Sequence, residues 1–297
     1  MKNCAILTME NLSDFECYDS LLDKPLAQRG WQTQLVPWRS QNVDWQQFDA
    51  VIIRSPWDYQ DDASAFIAVL EEIERSSTVL LNSLATVRWN IDKIYLKSLT
   101  EQQVNIVPTL WGNNLLGKDI IGFFDYFNCP EIVIKPRISA NADNTFWLKK
   151  ETFETVLSQL EVIFSQADFM VQPFMNSVIE EGEFSLFYFD GEYSHAILKT
   201  PKADDFRVQE EHGGQLQSIK PEKLLLAQAQ HTLAAITKLT GESPLYARID
   251  FIRDKNSNPS FALMEAELIE PSLYFNMDKK SADRFANALV KRMEAVR

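Results

Sequence analysis

The 297-residue chain carries 29 Lys and Arg against 42 Asp and Glu, a formal charge of −13, so neither a nucleic-acid backbone nor an anionic membrane surface is an expected partner. With 45% apolar and 24% charged residues it has the composition of a globular protein, long enough for two or three compact units. No apolar run reaches the ~18 residues that cross a bilayer. The start is too short to read as a signal peptide, and Cys4, Cys17 and Cys129 stand in no metal or redox spacing, which predicts reduced thiols and a cytoplasmic location.

Residues 1–85 alternate strand and helix. Strands are expected at 4–8, 31–36, 49–54 and 78–81, a helix over 19–28 stopped at Gly30, and an amphipathic helix over 63–75. This rhythm predicts an open, mostly parallel sheet. Met9-Glu10-Asn11-Leu12 stands where a glycine-rich turn would follow the first strand, so a dinucleotide-binding domain is not expected. Over 86–180, Asn90 reads as the N-cap of a helix over 91–102. Strands follow at 106–111, 131–135, 145–148 and 169–172, with helices over 117–127 and 151–164. Over 181–297 strands dominate: 184–190 and 193–199 turn at Asp190-Gly191, and 245–253 pairs with 260–268 around Lys255-Asn256-Ser257-Asn258-Pro259. The turn-rich stretch 200–218 is expected to be a mobile loop, and helices are expected over 221–239 and 280–297. The fold class is therefore α/β (α+β).

The densest chemical signal is Tyr246-Ala247-Arg248-Ile249-Asp250-Phe251 with Leu263-Met264-Glu265-Ala266-Glu267. Strand alternation puts Arg248 and Asp250 on one face and Glu265 with Glu267 on another. If the hairpin register joins those faces, three carboxylates converge beside one arginine, a set suited to Mg²⁺, with Mn²⁺ as an alternative. Lys93 stands near an expected helix N-terminus and Lys135 ends an apolar strand, two cations suited to phosphate. The strand running into Gln172-Pro173-Phe174-Met175 offers backbone groups to a base, and Glu183 a carboxylate to a ribose. Arg54-Ser55-Pro56-Trp57-Asp58-Tyr59 begins at the carboxyl end of a strand, where open sheets bind ligands. Arg54, Ser55, Trp57 and Asp58 are therefore candidates to hold an amino-acid-like substrate, or a strand-end salt bridge with Trp57 as an interface plug.

In order and spacing these motifs resemble the ATP-grasp superfamily over about residues 85–275, as in D-alanine–D-alanine ligase, glutathione synthetase and RimK-like ligases. The resemblance implies an ATP-grasp fold with an N-terminal open parallel-sheet domain (1–85), a central lid subdomain (86–180) and a C-terminal subdomain with the metal site (181–297). It implies ATP and Mg²⁺ as cofactors, Asp250, Glu265 and Glu267 as metal ligands, and Lys93 and Lys135 as phosphate contacts. Arg248 and the Arg207 of Asp205-Phe206-Arg207 are implied as catalytic, with Lys199 at the phosphates. Ser139 lies in Arg137–Thr145, which stands where the family has a glycine-rich loop and holds no glycine. Arg54–Tyr59, Lys135–Ala140, Tyr246–Asp250 and Glu270-Pro271-Ser272-Leu273-Tyr274 are similar to segments of the D-cycloserine cyclo-ligase group, with Ser272 near the acceptor. The implied activity joins a carboxylate to an amine, or closes a ring, through an acyl-phosphate on a small amino-acid-like or peptide-like substrate; relatives are commonly homodimers. Phosphoryl transfer on the same scaffold and a nucleotide-binding module without turnover are the alternatives.

Overall fold

The computed structural model describes residues 1–203, 205–254 and 260–296. Its first unit is a wholly parallel sheet of β1 (Lys2–Thr8), β2 (Trp31–Pro37), β3 (Ala50–Ser55) and β4 (Val79–Leu81), in the order β2-β1-β3-β4. Every residue of β3 is buried, as the central strand of a sheet covered on both faces must be. The helix expected over 19–28 is a 3₁₀ turn, Asp19–Leu22, followed by α1 (Asp23–Ala27). Pro25 is the cause: it has no N–H for a continuous helix and is tolerated only near a helix start. Helix α2 (Ala63–Arg75) is capped by Asp62, whose Oδ1 accepts from the Ala65 N–H at 3.0 Å, and buries Phe66, Leu70 and Ile73.

Asn90 is not an N-cap. It is the last residue of α3 (Leu84–Asn90), which Ser83 caps, and α4 (Tyr95–Glu101) begins only after a turn that carries Lys93. The second sheet contains β5 (Leu110–Asn113), β6 (Glu131–Pro136), β7 (Phe146–Lys149) and β8 (Asp168–Pro173), antiparallel in the order β5-β8-β6-β7, with α5 (Asp119–Phe127) and α6 (Leu157–Phe164) against it. The strand expected at 106–111 starts late because Pro108 cannot donate to a ladder.

A short α7 (Ser177–Glu180) leads into the third sheet, β9 (Glu183–Phe189), β10 (Glu192–Thr200), β11 (Gln215–Ser218), β12 (Tyr246–Asp254) and β13 (Ser260–Glu267), in the order β11-β10-β9-β12-β13. Asp190 and Gly191 turn β9 into β10 with φ of 51° and 81°, the paired left-handed backbone of a tight hairpin that a Gly at the second position permits. Part of the expected mobile stretch 200–218 is ordered as β11, an edge strand paired with Ile197–Thr200. The turn residues 255–259 of the acidic hairpin lie outside the described residues. Helices α8 (Lys223–Thr240) and α9 (Ser281–Ala295) complete the unit. Tyr95, Leu96 and Leu99 of α4 pack with Leu233 and Ile236 of α8, so the start of the 86–180 segment belongs physically to the third sheet. Among the described residues no helix is long and apolar enough to cross a membrane.

The outer edge of β13 is covered by a single parallel bridge, Ile106 to Leu263, and beyond it by side chains instead of a full strand. Asn90 donates to the Ala266 carbonyl at 2.8 Å and accepts from the Leu268 N–H at 3.0 Å, and the Tyr95 hydroxyl accepts from the Ala266 N–H at 2.8 Å. Asn82 donates to the carbonyls of Tyr246 and Leu268 at 2.9 and 2.7 Å. These bonds satisfy buried backbone groups and lock the hairpin to the end of the first unit.

His195 on β10 stacks on Phe187 with ring centroids 4.2 Å apart, its Nε2 donating to the Leu273 carbonyl at 3.2 Å and its Nδ1 accepting from Ser194 at 2.9 Å. Burial holds it neutral, lowering its pKa from 6.5 to about 4. Its unfolded form binds a proton that the folded form refuses, so stability present above pH 6.5 is lost as pH falls toward 4. Urea unfolding of wild type against His195→Asn should show that this one group costs wild type about 2 kcal/mol between pH 7 and pH 5, a loss the variant lacks.

Candidate active site

The register of β12 and β13 sets Arg248 opposite Glu267 and Asp250 opposite Glu265, so the four charges share one face. Arg248 Nε donates to Asp250 at 3.0 Å, and its other arm pairs with Glu267. From β9, Ser185 donates to Asp250 Oδ1 at 2.5 Å. Like charges on adjacent strands repel, and here cations from other segments separate them. Lys93, from the turn between α3 and α4, lies 3.0 Å from Glu265; Lys199 of β10 lies 2.5 Å from Glu183 and 3.7 Å from Asp250.

Environment divides the acids. Burial opposes charge on Glu265, but Lys93 and Lys135 overcome it and draw the carboxyl down to about 2. On Glu267 burial, reinforced by Glu265 and Asp250, outweighs Arg248 and pushes the carboxyl up to about 8. Burial also opposes charge on Lys199, yet Asp250 and Glu183 hold its ammonium above the usual range. Burial lowers Lys135, with Glu265 pulling the other way.

All these groups line one cavity between the second and third sheets. Lys135, Ser139, Gln172, Phe174 and Met175 face it from one side, and Glu183, Lys199, Arg207, Arg248, Asp250, Glu265 and Glu267 from the other. Val107, Val133, Val178, Val208 and Met264 add an apolar slot near Gln172–Met175, the shape a flat base requires. One hinge amide is already engaged, since the Phe174 N–H donates to the Glu131 carbonyl at 3.0 Å, while its ring stacks on Trp147 at 4.1 Å. Glu183 commits one oxygen to Lys199. Arg207 is held by Asp205 at 2.9 Å and is partly exposed.

The glycine-free loop reaches left-handed backbone without glycine: Asn141, Ala142 and Asn144 have φ of 51°, 58° and 50°. Asparagine tolerates this region, whereas at Ala142 it costs about 1–2 kcal/mol. Lys93 secures the loop, its backbone N–H donating to the Arg137 carbonyl at 2.9 Å and its Nζ to the Ser139 carbonyl at 2.7 Å.

The substrate end differs from expectation. Trp57 and Ser272 line the cavity; Arg54, Ser55 and Asp58 do not. Strand β3 runs through Ser55, so Arg54 and Ser55 are still inside the sheet. Arg54 is fully buried, donating to Asp19 at 3.1 Å and to the Pro271 carbonyl at 2.6 Å, with Tyr246 beneath it. Ser55 bonds Thr8 at 3.0 Å, and Asp58 accepts from Trp38 and Arg39 at 2.6 and 3.1 Å. In their place the cavity takes Tyr59, Glu270 and Tyr274. Sequence reasoning passed over Glu270, although an acid directly before Pro271 and three residues past Glu267 was a signal in hand.

Among the described residues no three His, Cys, Asp or Glu side chains form a self-sufficient metal cage. Mg²⁺ does not need one, because it keeps waters and phosphate oxygens as ligands beside one or two carboxylates. Glu265 and Glu267, two residues apart on one strand and bordered by Lys93, Lys135 and Lys199, fit a magnesium–nucleotide pair in that manner.

Residues 4–82 match the family described as the N-terminal domain of the D-cycloserine synthetase DcsG. The chain is 30% identical over 274 residues to the cycloserine biosynthesis protein DcsG of Streptomyces lavendulae, covering 89% of this chain and 90% of that one. The crystal structure of D-cycloserine synthetase DcsG superimposes with a TM-score of 0.87 at 27% identity, covering 98% and 99% of the two chains. D-alanine–D-alanine ligase from Bacillus anthracis, complexed with ATP, shares the fold with a TM-score of 0.70 at 13% identity, covering 100% and 98%.

Lys93→Met removes the nearest cation from Glu265 and a donor from the Ser139 carbonyl. It should cost about 1–3 kcal/mol in urea unfolding, the range for a partly buried pair broken on one side. An unchanged midpoint would show that Glu265 is solvated without it.

Proposed function

The chain belongs to the ATP-grasp family of the cycloserine biosynthesis protein DcsG, and from that premise we propose that it joins a carboxylate to an amine, or closes a ring between them, by way of an acyl-phosphate. The substrate is a small amino-acid-like molecule and the energy source is ATP. The observation that carries this reading is the hairpin register, which sets Arg248 beside Glu267 and Asp250 beside Glu265 on one face of a cavity also lined by Lys93, Lys135 and Lys199.

Lys93 and Lys135 hold the phosphates, and Lys199, steadied by Glu183 and Asp250, reaches the terminal one. Magnesium, or manganese in its place, when held by Asp250, Glu265 and Glu267, supplies Lewis-acid shielding of the phosphate charge. The apolar slot by Gln172–Met175 takes the adenine, and Glu183 the ribose. A substrate carboxylate oxygen attacks the γ-phosphorus and ADP leaves. An amine nitrogen then attacks the acyl carbon, the C–N bond forms and phosphate departs. Arg248 stabilises the negative charge that grows in both steps, and Arg207 assists from the covering segment. Chain segments 1–85, 86–180 and 181–297 serve as substrate-side domain, lid and metal-bearing subdomain, except that the start of the middle segment, through α4, packs with the third sheet. The unpaired thiols Cys4, Cys17 and Cys129 suit the reducing cytoplasm.

The test is ADP release with Mg²⁺ over a panel of amino acids and small peptides, followed by hydroxylamine trapping. Hydroxamate formation identifies the acyl-phosphate; ADP release with phosphate passed to a hydroxyl and no hydroxamate would make the protein a phosphotransferase, and ATP binding without ADP a non-catalytic module. Arg248→Met should lower turnover by about 10²–10³-fold with little change in nucleotide affinity. Undiminished turnover would remove Arg248 from this role.

A further inference from the structure

The buried charges around the cavity pair off, with one exception among the acids. Glu265 has Lys93, Glu267 has Arg248, Asp250 has Arg248 and Lys199, and Glu183 has Lys199. Glu270 lines the same cavity and, among the described residues, forms no ion pair. Lys93 acts on its carboxyl from beyond ion-pair distance, and the Tyr59 hydroxyl bonds it. An isolated carboxylate in such surroundings is costly unless something binds it.

Its position is held from several directions. The Glu270 carbonyl accepts from Trp57 Nε1 at 2.9 Å, and the next carbonyl, that of Pro271, accepts from Arg54 at 2.6 Å. Tyr59 is itself buried and packs on Phe66 with ring centroids 5.0 Å apart. The carboxylate therefore keeps its place without a ligand, which is the condition for a specific contact. Glu270 follows Glu267 by three residues just past the end of β13, and Lys93, which holds Glu265, also acts on it, so this acid continues the hairpin side of the cavity.

We propose that Glu270, positioned by Tyr59, receives the ammonium group of the substrate, so that the site selects small zwitterionic amino acids over carboxylic acids that lack an amine. This rests on the ligase reading for the place of the nucleotide. An ammonium supplies the missing countercharge and three donors to an acceptor-only group. Burial, which raises the Glu270 carboxyl to about 7, makes the exchange of water for a cation more favourable there than at an exposed acid.

Calorimetry on the full chain saturated with Mg·AMPPNP tests this, with D- and L-alanine and D- and L-serine compared with propionate and 3-hydroxypropionate. At least one amino acid should bind wild type more tightly than its amine-free counterpart. Glu270→Gln should weaken that binding by about 10- to 100-fold, the scale of one charge-assisted hydrogen bond, and leave the amine-free acids unchanged. Tyr59→Phe, which keeps the charge and loses the positioning hydroxyl, should weaken it by less. Mg·AMPPNP affinity equal to wild type in both variants shows that they are folded. No preference for the amine in wild type, no amino acid bound at all, or equal binding in Glu270→Gln overturns the proposal while the ligase reading stands. Failure of wild type to bind Mg·AMPPNP sinks the ligase reading, and this proposal with it.

Discussion

Two antiparallel strands that bring Arg248, Asp250, Glu265 and Glu267 onto one buried face create the electrostatic problem the rest of the molecule solves. Left alone, those acids would repel one another or neutralise by taking up protons. The remedy comes from distant parts of the chain: Lys93 from a turn between two helices, Lys135 from the second sheet, Lys199 from the neighbouring strand. The same turn runs from Asn90 to Tyr95, which cover the hairpin's outer edge. Local charge balance and global assembly are thus one event, since the hairpin is stable only when the segments that neutralise it are also packed against it.

Much of this was readable from residues alone, for an identifiable reason. Period-two alternation assigns faces without knowledge of the partner, so Arg248, Asp250, Glu265 and Glu267 were recognisable once a hairpin was assumed. Lys135, Gln172 and Glu183 were found through their order along the chain. What alternation cannot supply is where a strand ends. Placing the end of β3 at Arg54 turned a buried clamp into an expected substrate contact, whereas the cavity begins only at Trp57. The same uncertainty made Asn90 a helix start, although its amide serves a strand edge remote in sequence. Pro25 and Pro108 were visible breakers that were given too little weight. Glu270 was passed over because it lies beyond the alternating acids of the strand, and the pairing of the other acids around the cavity makes it conspicuous.

The loop from Arg137 to Thr145 shows how composition and conformation come apart. A glycine-rich segment is the simplest way to bring backbone close to phosphate, yet Asn141, Ala142 and Asn144 adopt the same left-handed backbone. The two asparagines enter that region readily, and the alanine is held there by its neighbours, with Asp143 and Thr145 donating to the carbonyls of Ala140 and Ala142. Lys93 grips the loop at Arg137 and Ser139, so the residue proposed to serve the phosphates also shapes the loop beside it.

The Arg54 clamp joins two of the three sheets. With its guanidinium sealed between Asp19, the Pro271 carbonyl and the Tyr246 ring, the first sheet and the third are welded into a single anvil. The second sheet meets that anvil mainly around its loop, through Arg137 to Asp92, Lys93 to the Arg137 and Ser139 carbonyls at 2.9 and 2.7 Å, Gln60 to Asp143 at 3.2 Å, and Phe206 against the Trp147 and Phe174 rings. Of the two walls of the cleft, only the second sheet is free of that weld, so any widening of the cleft has to break its contacts and not those of Arg54.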